Sequence, residues 1–273
     1  MEKQPLVTAT ETTDAPVPSP RRPGPGALFY VALAVAVLLT GTLAVIAIGN
    51  RSRPAVAQAL RVSGLPSSIS TPLANLMALS PIPPRVAPNF TLIDQHGRTL
   101  SLLQLRGRAV VLEFMDPHCI DICPLVAQEF IDANRDLGAN SSHVVFAAVN
   151  VNQFFSRVAN VEAFSAEHRL NTIASWHFFT GPTKVLHSVW RDYGVAVSAP
   201  HPRADILHTS VIYFIDPQGH ERYVAAPSVQ YTSKGAPYLP ALSLTQWGHG
   251  IALMASSFTN APRVSQSSSP GAG

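Results

Sequence analysis

Ala109-Val-Val-Leu-Glu-Phe114-Met-Asp-Pro-His-Cys119-Ile-Asp-Ile-Cys123-Pro124 holds both cysteines of the chain. Its first half is an apolar run of strand length, and its last residue is a proline, which fixes its own φ and disfavours helix at the residue before it. That order predicts a buried strand, a loop carrying the cysteines, and a helix beginning at Pro124 and running to Leu137. Both sulfurs then stand at or just before a helix N-terminus. Unpaired N–H groups and the positive end of the helix dipole favour thiolate there, the form that attacks disulfides and binds metals.

The pattern continues on both sides of this stretch. Downstream, Val144 to Val149, Ala174 to Phe179 and Thr209 to Ile215 read as further strands. Helices are expected between them, over about Asn160 to Arg169 and from Pro182 to Gly194, the second with Val185, Leu186, Val189 and Trp190 on one face. Asp216-Pro-Gln-Gly219 is a turn into a strand over Glu221 to Ala225, and Ser243-Leu-Thr-Gln246 is a capping-box start for a helix through Phe258. Upstream, Asn89 to Asp94 alternates at strand period, and Gln95-His-Gly97 turns it into a hairpin. Strands alternating with helices predict an α/β sheet with helices on both faces: a thioredoxin-like fold with an N-terminal hairpin extension.

The chain has 273 residues, 47% hydrophobic and 13% charged, enough for one ordinary domain with appendages. A net charge of +3, with no basic run interleaved with aromatics, gives no footprint for nucleic acid. Residues 27–49 carry no charge, and as a helix would extend about 34 Å against about 30 Å of bilayer hydrocarbon. A retained transmembrane anchor is expected rather than a cleaved signal peptide, although Ala55-Val-Ala57 offers a small-residue cleavage pattern. Lys3, Arg21 and Arg22 on one side and Arg51, Arg53 and Arg61 on the other leave orientation undecided. A cysteine pair is better kept outside the cytosol. The organisation expected is a disordered cytoplasmic tail (1–26), the anchor (27–49), a Pro, Ser and Ala-rich tether (50–86) with a short helix near Pro72 to Leu79, the folded domain (87–258) and a disordered tail (259–273). A bacterial inner membrane with the domain on the extracytoplasmic side fits best, because residues 1–26 lack the composition of a transit peptide.

Cys119 and Cys123 are four apart, which puts their Cα atoms about 6 Å from each other in a helix start, within disulfide range. The same spacing lets both sulfurs meet one ion. Two thiolates and an imidazole form a soft ligand set suited to Cu(I) and tolerable to Cu(II). Ten histidines compete to be the third ligand. His96 falls in a turn, His143 and His220 at strand edges, and His168 and His187 on helices; His118 adjoins Cys119 with its side chain directed elsewhere. His208 precedes the strand from Thr209, where the fold brings a loop beside the cysteine helix, and it reads as either a ligand or a polar loop histidine.

The alternative chemistry is thiol-disulfide exchange, with Cys119 attacking and Cys123 resolving. Against it, the spacing is not Cys-x-x-Cys, and no proline falls within Leu207 to Ser210. A peroxidase would need a Thr or Ser pattern ahead of a reactive cysteine that is not present. A purely structural disulfide over so short a loop would contribute only about 2 kcal/mol.

Ala87-Pro-Asn-Phe-Thr-Leu-Ile-Asp94, the Cys119-x-x-x-Cys123-Pro124 run with Asp121 inside it, and Asp205-Ile-Leu-His208 followed by a strand and Asp216-Pro-Gln-Gly219 together resemble the Sco/SenC family. That resemblance covers about residues 86 to 258. It implies a membrane-anchored, thioredoxin-like copper chaperone that serves the binuclear copper site of a cytochrome c oxidase subunit, or another cuproprotein. It implies Cys119, Cys123 and His208 as metal ligands, with Asp121 and Asp205 in supporting positions. The sequence departs from the family pattern at Ile120, at Met115-Asp-Pro117 and at Asn150-Val-Asn-Gln153.

Overall fold

The computed structural model describes residues 64–259. The expected tail 1–26, the anchor 27–49, the first part of the tether and nearly all of the C-terminal tail lie outside the described residues. No described helix is long and apolar enough to cross a membrane.

The apolar runs build the sheet. β4 (Ala109–Met115) and β5 (Val144–Asn150) are buried at every residue and lie parallel, Ala109 opposite Val144 and Met115 opposite Asn150. Continuous apolar runs are what a sheet covered on both faces requires. β6 (Trp176–Phe179) extends the parallel part. On the other side of β4, β9 (Ile212–Ile215) and β10 (His220–Ala225) run antiparallel, and β1 (Ser80–Val86) closes the edge. The order is β1-β10-β9-β4-β5-β6.

Alternation along the strands divides the core in two. Ala109, Val111, Met115, Phe146 and Ala148 face α1 (Thr71–Leu76), α2 (Ile122–Leu137), α3 (Val158–Glu167) and α5 (Ala241–Thr259). Val110, Leu112, Phe114, Val145, Ala147 and Val149 face α4 (Thr183–Asp192), the hairpin of β2 (Thr91–Ile93) and β3 (Thr99–Ser101), and the 3-10 turn Leu102–Leu105. Glu113 points by the same alternation toward α2. The helix α5 lies close on α2 because it offers glycine: a Cβ at Gly248 would stand 2.6 Å from Asp132 Cβ and 3.1 Å from the Glu129 carbonyl oxygen.

Several expectations need correction. The tether does not extend to residue 86, because α1 and β1 belong to the fold. Met77 and Leu79 are buried, and Arg85 Nε lies 2.5 Å from Oε2 of the buried Glu221. Prolines misled the reading: Pro81, Pro83 and Pro84 fit an edge strand whose register shifts between Pro81 and Arg85, where missing N–H groups cost little. The helix after the cysteines starts at Ile122 rather than Pro124, since Asp121 caps it and proline is tolerated in a first turn. Helix α5 starts at Ala241, so Ser243 lies inside its first turn and is not its cap. Val185 is exposed, leaving Leu186, Val189 and Trp190 as the buried face of α4. The strand expected from Thr209 to Ile215 begins only at Ile212, and just before it β8 (Leu207–His208) pairs with β7 (Val197–Ser198) in a separate ribbon. A further hairpin, β11 (Gln230–Tyr231) with β12 (Pro237–Tyr238), was not anticipated.

Candidate functional site

The central strand β4 delivers the chain to a loop whose hydrogen bonds are made largely by two aspartates. Asp116 accepts the His118 N–H at 2.8 Å through Oδ1, and its carbonyl accepts the Cys119 N–H at 3.1 Å. Asn152 Nδ2 donates to the same Oδ1 at 2.9 Å, binding the cysteine loop to the segment after β5.

Asp121 caps α2. Its Oδ1 accepts the Ile122 N–H at 2.7 Å and the Cys119 thiol at 2.9 Å, and its Oδ2 accepts the Tyr231 hydroxyl at 3.3 Å. Burial works to raise the Asp121 carboxyl, but the hydrogen bonds from Cys119, Ile122 and Tyr231 outweigh it and hold the group below the usual carboxylate range. The Cys123 N–H donates to Cys119 Sγ at 3.3 Å. Both cysteines are free thiols, Cys119 half-buried and Cys123 buried. A groove of about 420 Å3 opens beside Cys119, between the loop at His118 and Ile120 and the α3 residues Asn160 and Phe164.

The helix terminus does not make both sulfurs thiolates, as the sequence suggested. The Cys123 thiol is pushed well up, first by its hydrogen bond with Cys119 and then by burial. Cys123 is therefore protonated in this state, and Cys119 is the more accessible of the two sulfurs.

His208 is half-buried. Its Nδ1 donates to the Thr209 carbonyl at 3.0 Å, since a carbonyl can only accept. Burial lowers its pKa against the opposing effects of that bond and of the Asp116 and Asp121 charges. The imidazole is thus neutral at pH 7 with its lone pair on Nε2, and it lies within electrostatic reach of both aspartates of the cysteine loop. Among the described residues, no group of three or more His, Cys, Asp and Glu side chains is gathered tightly enough to hold a metal ion. The donor types suit a soft metal, but the three ligands implied by the resemblance are not drawn together here. Asp205 is exposed and makes no hydrogen bond or ion pair among the described residues.

Four of the other histidines are engaged elsewhere. His118 stacks on Phe155, with centroids 3.8 Å apart, and meets Asn160 Oδ1 at 3.3 Å. His177 pairs with Asp94, His249 with Asp136 and His220 with Asp216. Sequence reasoning missed Tyr231, which carries no local signal, and Glu113, whose charge inside an apolar run was a readable one.

A mixed sheet in this order, with a dithiol at the N-terminus of the helix after its central strand, defines a thioredoxin-like domain. The SCO1/SenC family profile matches residues 80–232, more than half of the chain, and the chain belongs to that family. A SCO1 protein homolog of Bacillus subtilis is 25% identical over 132 residues, which is 48% of this chain and 68% of that protein. A mitochondrial SCO2 homolog of Bos taurus is 27% identical over 137 residues, which is 48% of this chain and 50% of that protein. Among solved structures, Bradyrhizobium japonicum ScoI with copper bound shares the fold at a TM-score of 0.50 and 20% identity, over 64% of this chain and 99% of that one.

Proposed function

We propose that this protein is a copper chaperone that carries copper as cargo on Cys119, Cys123 and His208. Its client is the binuclear copper site of a cytochrome c oxidase subunit. The observation that carries the reading is His208: a neutral imidazole, with Nδ1 committed to the Thr209 carbonyl and Nε2 left as a donor atom, near the loop that holds both thiols. A backbone partner on one ring nitrogen that directs the other toward a metal is the usual arrangement of ligating histidines. The thiolates, soft donors, hold Cu(I); the imidazole matters most for Cu(II). Supporting this, the family includes proteins solved with copper bound. The expected anchor would tether the domain on the extracytoplasmic side of a membrane.

A second reading, thiol-disulfide exchange, draws on the contrast between an accessible Cys119 and a buried Cys123, the arrangement of an attacking and a resolving thiol. One set of variants separates the two. His208→Ala weakens Cu(I) binding, measured by chelator competition, and removes the thiolate-to-Cu(II) absorption, with losses of at least the roughly 10- to 100-fold that removing a mere supporting partner causes. It leaves the Cys119–Cys123 disulfide free to form, while Cys119→Ser loses both properties. If His208→Ala binds both copper states like the parent yet fails in disulfide exchange, the copper assignment is wrong and the redox reading replaces it.

A further inference from the structure

We infer that the end of the sheet opposite the thiols is a docking surface for a bilayer with anionic phospholipid headgroups, held there by Arg106 and Arg108. The inference goes beyond the copper reading and rests instead on the anchor expected at residues 27–49.

Two loops meet at the start of β4 and the end of β9 to build this surface. Gly107 N–H donates to the Pro217 carbonyl at 2.9 Å, and Ala87 N–H donates to the Gly219 carbonyl at 2.9 Å. Gly219 leaves room for the Arg106 guanidinium, since a Cβ there would stand 2.8 Å from its Nε. Arg106, Arg108 and Leu103 line one shallow depression, with Asp216 as its acidic member. That aspartate is already engaged: its Oδ1 accepts the Gln218 and His220 N–H groups at 3.1 and 2.9 Å, and its Oδ2 accepts Arg222 at 3.1 Å. Glu221, close by on β10, is paired with Arg85. The side chains of Arg106 and Arg108 make no hydrogen bond or ion pair among the described residues. A guanidinium keeps its charge at any physiological pH, so two positive charges stand uncompensated on one surface.

Apolar side chains stand beside them. Leu103 is 46% exposed, and Val86, the neighbour of Ala87 on the same depression, is 61% exposed. That combination suits a membrane interface, where guanidinium groups meet phosphate bidentately and aliphatic chains enter the headgroup boundary. A free phosphate or an acidic soluble partner would use the charges and leave Val86 and Leu103 without a role.

The length of the chain permits the contact. Gly49, the last residue of the expected anchor, is 15 residues before Gly64, about 50 Å of fully extended chain. A Cβ on Gly64 would lie 3.3 Å from Pro81 Cγ, so the chain enters near the start of β1, a strand about 20 Å long. The reach therefore brings either end of the sheet to the bilayer, and the uncompensated arginines select this one. The run of β4 from Ala109 to Met115 then sets the thiol loop about 20 Å away from the headgroups, open to the aqueous side.

The test uses the full-length, metal-free protein assembled into nanodiscs of phosphatidylcholine, alone or mixed with phosphatidylglycerol. Modification of each arginine by phenylglyoxal is followed by peptide mass. Arg106 and Arg108 are expected to react at least about fivefold more slowly in the anionic discs, the change that one arginine near a charged surface supports. Arg157, which precedes α3, and Arg203, in the loop before His208, are exposed residues of the thiol end and are expected to keep one rate in both. Equal rates for Arg106 and Arg108 in the two lipids, or slowing shared by all four arginines, overturns the inference. The same slowing produced by inorganic phosphate in phosphatidylcholine discs also overturns it, in favour of a free-anion site. Protein that washes free of the discs overturns it by removing the anchor. No copper enters the measurement, so the chaperone reading stands or falls separately.

Discussion

Replacing Glu113 by Gln removes one ionisable group from the face of β4 that α2 covers, with little change in size. Glu113 is 1% exposed; the Ser210 hydroxyl donates to its Oε1 at 3.4 Å and its Oε2 has no partner. Burial pushes its carboxyl from 4.5 up to about 8, with hydrogen bonds from the Phe114 backbone, Ser210 and the Val211 backbone only partly offsetting it. The unfolded chain releases that proton near 4.5, so between there and about 8 the folded protein holds one proton more than the unfolded one. Stability therefore falls as pH rises through this window, by up to about 5 kcal/mol at about 1.36 kcal/mol per pH unit. Gln holds no titrating proton and lacks this slope. Unfolding free energies of the reduced, metal-free proteins, from denaturant titrations, should nearly coincide at about pH 5 and separate by several kcal/mol at about pH 8, with Glu113→Gln the more stable. Glu129 is raised first by burial and then by the charges of Glu113 and Asp132, so removing the Glu113 charge also relieves Glu129 and widens the difference between the two proteins at high pH in the same direction. Identical pH slopes, or a parent that gains stability across this range, would refute the reasoning.

Gly248→Ala should destabilise the domain by about 1–3 kcal/mol in denaturant unfolding, because the new Cβ meets the backbone of α2 as well as Asp132. An unchanged midpoint would mean that the two helices pack less closely than described. For the proposed topology, a thiol reagent that cannot cross membranes should label Cys119 in intact cells after mild reduction. Labelling that requires permeabilisation would place the domain on the other side.

The central strands were legible because β4 and β5 are long, mostly apolar runs, and α4 because Pro182 and Gly194 bracket it. The loop and helix terminus carrying the cysteines could be read from Pro124 and the strand before it. What escaped the sequence was non-local or masked by a stronger local signal. Proline in β1 looked like a linker, because the pairing that accommodates it lies on β10, far along the chain. The Asp121 cap moved the start of α2 because its side chain meets the backbone of Ile122, a competition that the proline argument ignored. The contact with Cys119 and the burial that together keep Cys123 protonated depend on α2 settling on the sheet. Tyr231 reaches Asp121 across 110 positions, and no short-range pattern encodes that meeting.

β1 also bears on how the domain behaves at high concentration. A sheet ending on an exposed strand offers its free N–H and C=O groups to any other chain that can align with them, the usual start of strand-to-strand aggregation. Here that border is Ser80-Pro-Ile-Pro-Pro-Arg-Val86, whose three prolines present no N–H and whose register is interrupted between Pro81 and Arg85. An incoming strand finds too few donors and no straight run to follow. The residues that made this segment look like a linker thus make it a terminator for the sheet, guarding the domain against growth by copies of itself.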